Sequence, residues 1–197
     1  MTVSQIKVWD PLVRIFHWTL VAAFFIAYFT EDEVMWLHEA AGYTVLGLVA
    51  FRIIWGFVGP RYARFSDFVH GPAAVIGYLK TFFKKDSPRY VGHNPVGGLM
   101  VVILLVMLSL TSWSGIQAEE AEEGKQAATS IEIIKSAHAD DEHEHQGGAD
   151  EFWEEAHEVL ANLTLLLVIV HIGGVLSHSL IHGENLVRAM VTGKKDE

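Results

Sequence analysis

Long apolar runs alternate with charged segments along this chain, and each run is long enough to form a helix that crosses a bilayer. The runs cover residues 11–30, 35–57, 96–113 and 157–180. A membrane-spanning helix needs about 20 predominantly apolar residues. One such run would also suit a buried helix of a soluble protein, but four with consistent flanking charges do not. The pattern predicts an all-α integral membrane protein, a single domain over residues 1–197 built as a four-transmembrane-helix bundle.

Charge is distributed unevenly among the segments that join these runs. The 60–95 segment has six basic and two acidic residues, whereas 116–155 has thirteen acidic and two basic ones. The net charge of −10 therefore belongs to the 116–155 segment, which we expect to be an irregular acidic loop. Lysine and arginine favour the cytoplasmic side of a membrane. We therefore expect both termini in the cytoplasm and the acidic loop in the periplasm.

Three regions outside the apolar runs add to the predicted arrangement. Asp10 followed by Pro11 is typical of a helix start, so the first helix begins there. Residues 73–83 are mildly amphipathic, which suits either a helix on the membrane surface or a short helix packed within the loop. The chain finishes in a basic tail that contains Arg188, Lys194 and Lys195.

Histidines within the apolar runs carry the main functional signal, because imidazoles inside a membrane are costly and usually functional. His157 and His171 are 14 residues apart on one helix, so they share a face and are separated by about 21 Å along its axis. The predicted topology puts His38 at the outer, periplasmic level of His157, and His17 at the inner, cytoplasmic level of His171. Two haems, each held by imidazoles from opposite helices, require this arrangement.

The inner ligand has an alternative on the same helix. His178 lies seven residues after His171 and shares its face. It is at the very end of the apolar run, where an interfacial histidine costs little. We favour His171 because it lies deeper and matches the level of His17.

Two arginines lie at the inner level. Arg52 follows His38 by 14 residues and therefore faces the same way about four turns lower, while Arg14 is one turn from His17. Haem propionates need cationic partners in a medium of low dielectric constant. Arg14 and Arg52 are therefore candidate propionate ligands, although either side chain could instead extend to the membrane interface.

The chain contains no cysteine, which excludes disulfides, thiolate metal sites, iron–sulfur clusters and covalently attached c-type haem. Any haem is therefore bound non-covalently. His70, His93 and His182 lie in polar flanks and carry no comparable signal. A further cluster in AHADDEHEHQ suits either a weak metal site or, as we favour, a solvated segment; it contains His138, His143 and His145.

Several motifs together resemble those of the bacterial four-helix di-haem b-type cytochromes, namely the prokaryotic cytochrome b561 group and the cytochrome b subunits of nickel–iron hydrogenases. The matching segments are VWDPLVRIFHW around His17, LHEAAGYTVLGLVAFRIIWGFVGPRY around His38 and Arg52, GHNP before the third helix, and HEVLANLTLLLVIVH in the fourth. The resemblance implies two haem b groups with axial ligands His17, His38, His157 and His171. It also implies a multi-pass protein of the bacterial inner membrane that exchanges electrons between a quinone and an external protein.

The sequence leaves several functional hypotheses open. The favoured one is an electron-transfer subunit between the quinone pool and a periplasmic partner, either a c-type cytochrome or a hydrogenase. An acidic periplasmic loop suits a basic c-type cytochrome. A free-standing superoxide or quinol oxidoreductase of the same fold is the first alternative, and a histidine-based metal transporter is the second. Membrane lipid and quinone are expected partners, a homodimer is left open, and nothing indicates nucleic-acid binding.

Overall fold

The computed structural model describes residues 5–31, 33–82, 84, 87–136 and 148–196. Within them the chain is almost entirely helical, with one short strand near each end. The elements in order are β1 (Gln5–Lys7), α1 (Pro11–Thr30), α2 (Met35–Val58), a 3₁₀ turn (Arg61–Ala63), α3 (Phe65–Phe68), α4 (Pro72–Leu79), α5 (Pro95–Ser136), α6 (Ala149–His182), α7 (Leu186–Thr192) and β2 (Lys194–Asp196).

The predicted membrane helices are confirmed by four helices that are long and apolar enough to span a bilayer. Their spanning parts are Pro11–Thr30, Met35–Val58, Pro95–Gln126 and Asp150–His182. Helix α1 packs on α2, α2 on α5, and α5 on α6. Large apolar side chains outside these contacts are exposed, among them Phe29, Ile54 and Phe57. Such exposure suits helices surrounded by lipid, because their outer faces need no protein cover.

A compact core lies midway along the bundle. Its buried members come from α1, α2 and α5, and are Ala23, Phe24, Val45, Val49, Leu105 and Leu108. Leu165 and Val168 of α6 pack against it while remaining partly exposed. The core therefore separates the two ends of the bundle, which carry the polar and histidine-rich regions.

The first helix begins as the sequence predicts. Pro11 occupies the first turn of α1, and the Asp10 carboxylate accepts hydrogen bonds from the amides of Leu12 and Val13 at 2.9 and 3.2 Å. A side-chain cap of this kind satisfies amides that have no partner within the helix. This cap fixes the point at which α1 leaves the loop and so sets the level of Arg14 and His17.

The expected irregular loop over residues 116–155 is wrong for most of its length. Helix α5 continues to Ser136 and α6 begins at Ala149, so 116–136 and 149–155 are helical. The acidic stretch is rich in alanine, glutamate, glutamine and lysine, which are strong helix formers. A helix that is already formed in the membrane extends easily into such a sequence, because nucleation is its costly step. The histidines at 138, 143 and 145 lie outside the described residues.

Side chains join the two helical extensions. Lys125 of α5 forms an ion pair with Asp150 of α6. Further down, the rings of Trp113 and Trp153 meet edge to face with centroids 5.1 Å apart. These contacts bring the amino-terminal turns of α6 alongside α5, above the level of His157.

The 73–83 region forms a helix, α4, that is shorter than predicted. Val75 and Tyr78 are buried, and α4 packs against α5. Ile76 and Leu79 are about half exposed. This burial favours a short helix packed within the loop over a helix lying on the membrane surface.

The basic carboxyl-terminal tail forms regular secondary structure. It forms α7 and then β2, which pairs antiparallel with β1 in the register Ile6 to Lys195. The amides of Val8 and Trp9 donate to the Gly193 carbonyl at 2.9 and 3.1 Å. Gly193 has φ +82°, and a Cβ there would lie 2.7 Å from the Trp9 carbonyl oxygen, so only glycine fits. Both ends of the chain are thereby held at the same end of the bundle.

Candidate haem sites

His38 and His157 face each other at one end of the bundle. They come from α2 and α6, and their ring centroids are 5.9 Å apart with the ring planes nearly perpendicular at 85°. A metal–imidazole bond is about 2 Å long, so two axial imidazoles on one metal have centroids roughly 6 Å apart. The outer pair predicted from the sequence is therefore brought to the separation that a shared axial position requires.

Hydrogen bonds fix the orientation of both outer rings. The Nδ1 atom of His38 lies 2.9 Å from the Ala27 carbonyl oxygen, and that of His157 lies 2.9 Å from the Thr111 carbonyl oxygen. A carbonyl only accepts, so Nδ1 must be the protonated donor in each ring. The Nε2 lone pair of each imidazole is then available for a metal, as is usual where a histidine ligand donates its other N–H to a carbonyl.

Small residues of α5 make room for the His157 ring. Ser114 is fully buried, and its hydroxyl lies 3.2 Å from His157 Nδ1. A Cβ on Gly115 would lie 3.0 Å from Cε1 and 3.2 Å from Nδ1 of the same ring. Sequence reasoning missed both residues. The only signal for them is the small and polar SWSG stretch at the end of an otherwise apolar run.

Replacing Gly115 with alanine should weaken haem binding at the outer pair. The added methyl group would push against the His157 ring, and overpacking of this kind costs about 1–3 kcal/mol, or roughly 5- to 150-fold in affinity. Transfer of haem to apomyoglobin, followed by absorbance, measures the loss. Gly124→Ala is the matched control, since a Cβ there meets no atom within 4 Å. Equal haem retention by both variants would show that Gly115 does not shape the site.

The inner candidates lie in one region at the other end of the bundle. His17 of α1 lies within electrostatic range of His171 of α6, and the Nδ1 atom of His17 is buried without a hydrogen-bond partner among the described residues. This Nδ1 atom is therefore available to a ligand. The two sequence candidates for an inner pair are thus brought into one region.

His93 also belongs to this region, although it lies in the loop before α5. Its ring packs between Trp9 and Phe68, at centroid distances of 4.6 and 4.7 Å. Loss of solvation is the main cause that lowers the pKa of His93 to about 3, with the nearby charge of Arg52 as the next cause. His93 is therefore neutral at physiological pH. Its Nδ1 atom is buried and has no hydrogen-bond partner in the described part of the chain.

Arg52 is the most deeply buried cation of this end. It is 3% exposed, and its guanidinium lies 5.4 Å from the ring centroid of Phe65 and 5.6 Å from that of Phe68. Its Nη1 atom, like Nε of Arg14, is buried and lacks a hydrogen-bond partner within the described residues. A buried cation is expensive unless an anion accompanies it. A buried nitrogen without a partner on Arg14 and another on Arg52, among the described residues at this end, fit a ligand that carries carboxylates, as haem does with its propionates.

Bare glycine backbone lies next to two of the four histidines. Gly42 follows His38 by one turn of α2, and Gly174 follows His171 by three residues on α6. A Cβ added to either glycine would meet no atom within 4 Å. Open space about one turn from the imidazole, an available Nε2 atom at the outer pair, and arginine nitrogens without a partner among the described residues are features expected of a pocket for a flat, acidic macrocycle. The residues present therefore fit haem.

Comparison with known proteins decides the family. The sequence profile of the prokaryotic cytochrome b561 family matches residues 8–193. The chain belongs to the prokaryotic cytochrome b561 family. It is therefore a b-type cytochrome of electron transport and a multi-pass protein of the bacterial membrane, and its cofactor is haem b.

Similar proteins include three named probable Ni/Fe-hydrogenase B-type cytochrome subunit. Those of Azotobacter vinelandii and Azotobacter chroococcum mcd 1 are 27% and 28% identical over 144 residues, and that of Rhizobium leguminosarum bv. viciae is 25% identical over 147. Each match covers 56% of this cytochrome b561 chain and 59% of the relative, so the chain spans little more than half of their length. No solved structure matches the chain.

The rival inner ligand of this cytochrome b561 chain, His178, lies in a polar cluster at the end of α6. His178 is 8% exposed and stacks on His182 with centroids 4.2 Å apart. Its Nε2 atom lies 3.9 Å from a carboxylate oxygen of Glu184. His182 in turn is hydrogen-bonded to the Ser87 hydroxyl at 2.6 Å. The Nδ1 atom of His178, like that of His17, is buried without a hydrogen-bond partner among the described residues, so the choice between His171 and His178 stays a prediction.

Proposed function

We propose that this chain is a di-haem cytochrome subunit that transfers electrons between the quinone pool and a periplasmic redox partner. The observation that carries the proposal is the outer histidine pair. His38 and His157 come from separate helices, face each other at 5.9 Å, and both donate Nδ1–H to backbone carbonyls. This arrangement is suited to axial ligation of a metal inside the bundle.

The remaining residues have roles that follow from their positions. Haem iron, when bound, supplies the one-electron chemistry. His38 and His157 would hold one haem, and His17 and His171 the other. Buried Arg52, with Arg14, would neutralise propionates at the inner end. The apolar core between the two ends keeps water out of the bundle.

The orientation in the membrane follows from charge. The end of the bundle that carries β1, β2 and the 60–95 segment is the basic one, with Arg61, Arg64, Arg89 and Lys195 among its residues. Basic segments favour the cytoplasm. Both termini and the His17–His171 end would then be cytoplasmic, and the acidic ends of α5 and α6 periplasmic.

A quinone site at the inner end is favoured by the surroundings of His93. The ring lies between Trp9 and Phe68, is neutral at physiological pH, and has an unpaired Nδ1 atom. A neutral imidazole can donate or accept a hydrogen bond at a quinone oxygen. Asn94 is less free, because its side-chain oxygen accepts the Gly97 amide at 2.7 Å.

Replacing His93 with alanine should slow oxidation of the reduced cytochrome by a quinone analogue about 10-fold or more. The reason is that a side chain positioned to donate or accept a proton typically contributes roughly 100- to 10,000-fold to the rate of such a step. Stopped-flow absorbance of the purified protein measures the rate. His70→Ala is the matched control, since His70 is in the same segment but bonds to the Phe68 carbonyl and packs on Tyr90. Equal rates in both variants, with full haem content, would count against an inner quinone site.

Two observations favour different external partners. The relatives are named hydrogenase subunits, which favours a hydrogenase. The helical extensions of α5 and α6 are acidic, which favours a basic partner such as a c-type cytochrome. Glu119 accepts a hydrogen bond from Tyr43 of α2 at 2.6 Å, and Tyr43 lies in the helix that carries His38. The acidic surface is thus attached directly to the outer end.

Electron exchange with a basic c-type cytochrome should slow as salt is added, because charge steering is screened within about 8 Å at physiological ionic strength. Changing Glu119, Glu120, Glu122 and Glu123 to glutamine should flatten this dependence and leave both haems bound. Stopped-flow rates over a series of salt concentrations measure it. An unchanged salt profile in the variant would return the hydrogenase to first place as partner.

A further inference from the structure

A cavity lies at the inner end of the molecule, beyond the haem candidates. It has a volume of about 570 Å³ and is enclosed by the turn between α6 and α7, by α7 and β2, and by Arg89 from the loop before α5. Its lining is mainly polar and is contributed by segments that the sequence presented as a loop and a tail. Neither the histidine pairs nor Arg52 and Arg14 face it.

The cavity is strongly basic. Arg89, Arg188, Lys194 and Lys195 line it, against the single carboxylate of Glu184. Lys195 lies 3.0 Å from that carboxylate and also donates to the Tyr90 carbonyl at 3.2 Å, so Lys195 and Glu184 neutralise each other. The other three cations have no ion-pair partner among the described residues. The cavity therefore presents an excess of three positive charges.

Helix α7 gives the cavity a membrane-facing border. Arg188 and Thr192 line the cavity from one face of α7, whereas Val187 and Val191 on another face are 44% and 53% exposed. The membrane-spanning part of α6 ends only a few residues earlier, at His182. A basic helix face beside exposed valines, directly after a membrane span, is expected at the level of the lipid headgroups.

An apolar groove adjoins the opposite side of α7. It is lined by Ile15 and Trp18 of α1 and by Val191 of α7, together with Arg14 and Thr19. The groove is open, and Trp18 is a residue type that favours the interfacial region of a bilayer. The basic cavity and the apolar groove thus lie on either side of one short amphipathic helix.

We propose that the basic cavity binds the phosphate-bearing headgroup of an anionic phospholipid, with acyl chains lying along the exposed apolar residues of α7 and α1. Charge complementarity supports this occupant, since basic pockets at the ends of membrane helices attract anionic headgroups. The adjoining valines favour a lipid over a free anion, which would have no use for them. The proposal does not depend on the proposed electron-transfer function.

The test uses the full-length, haem-loaded protein in nanodiscs of phosphatidylcholine with a minor fraction of phosphatidylglycerol. Native mass spectrometry measures the phosphatidylglycerol that stays bound after release from the disc. Arg89→Gln combined with Arg188→Gln should weaken the retention of phosphatidylglycerol roughly 30-fold, because each cation near a headgroup raises the affinity about fivefold. Arg64→Gln with Lys80→Gln is the control of equal charge change, and it should retain phosphatidylglycerol as the unmodified protein does.

Three outcomes would overturn the proposal. One is equal retention of phosphatidylcholine and phosphatidylglycerol by the unmodified protein, and another is equal loss in the two double variants. The third is displacement of phosphatidylglycerol by inorganic phosphate at a similar concentration, which would identify a free anion as the occupant. Haem absorbance should be the same in all variants, because Arg89 and Arg188 lie outside the haem candidates.

Discussion

Replacing His157 with alanine should remove the outer haem and leave the inner haem bound, so that haem content falls from two per chain to one. His157 is opposite His38 at 5.9 Å and is oriented through Thr111 and Ser114, and no other histidine shares that end of α6 within the described residues. Loss of one axial imidazole leaves the iron without its second protein ligand. Pyridine-haemochrome absorbance divided by protein concentration measures the result.

Comparison with a control variant distinguishes loss of a ligand from loss of the fold. His70→Ala is the control, because His70 lies in the loop at the inner end and bonds only to a backbone carbonyl. The control should retain both haems. Full haem content in His157→Ala, or complete loss of both haems with a still-folded bundle by circular dichroism, would contradict two independent sites.

Replacing His171 with alanine should remove the inner haem, whereas replacing His178 should leave two haems per chain. His171 is near His17, while His178 stacks on His182 and lies 3.9 Å from Glu184. We therefore expect His178 to contribute to packing in its own cluster and not to haem binding. Haem content and the reduced absorbance spectrum of the two variants, purified side by side, measure the difference.

The reverse result would reassign the inner ligand. If His178→Ala lost one haem and His171→Ala kept both, the inner site would lie two turns nearer the end of α6. His17 would remain a ligand in either case, so His17→Ala should lose one haem. Retention of two haems by His17→Ala would mean that the inner pair is wrong altogether.

The membrane helices could be predicted from the sequence because hydrophobic length is a direct physical requirement of the bilayer. The start of α1 was equally accessible, since Asp10 and Pro11 act locally on the first turn. The outer pair followed from the 14-residue spacing on α6 and from matched depth. Each of these inferences depends on local sequence, on spacing within one helix or on depth in the membrane, and none requires knowledge of how distant segments pack.

Predictions failed where packing between distant segments decides the structure. The sequence pattern predicts a loop after residue 116 because the acidic residues cannot form a core, yet they continue α5 as a helix, and Lys125 pairs with Asp150 of α6. His93 lies in a polar flank of the sequence, and only the approach of Trp9 and Phe68 shows that it is enclosed. The role of Gly115 depends on a ring that is 42 residues away in the chain. No local pattern contains that information.

The number of haems bound by the unmodified protein is the most direct test of the account. The protein would be purified with excess haem supplied during expression, and its haem-to-chain ratio measured by pyridine haemochrome and quantitative amino-acid analysis. We expect two haems b per chain, with the sharp absorption bands that a bis-histidine haem shows when it is reduced. A ratio of one would mean that only one of the two histidine pairs binds haem. A ratio of zero in folded protein would mean that neither pair binds haem.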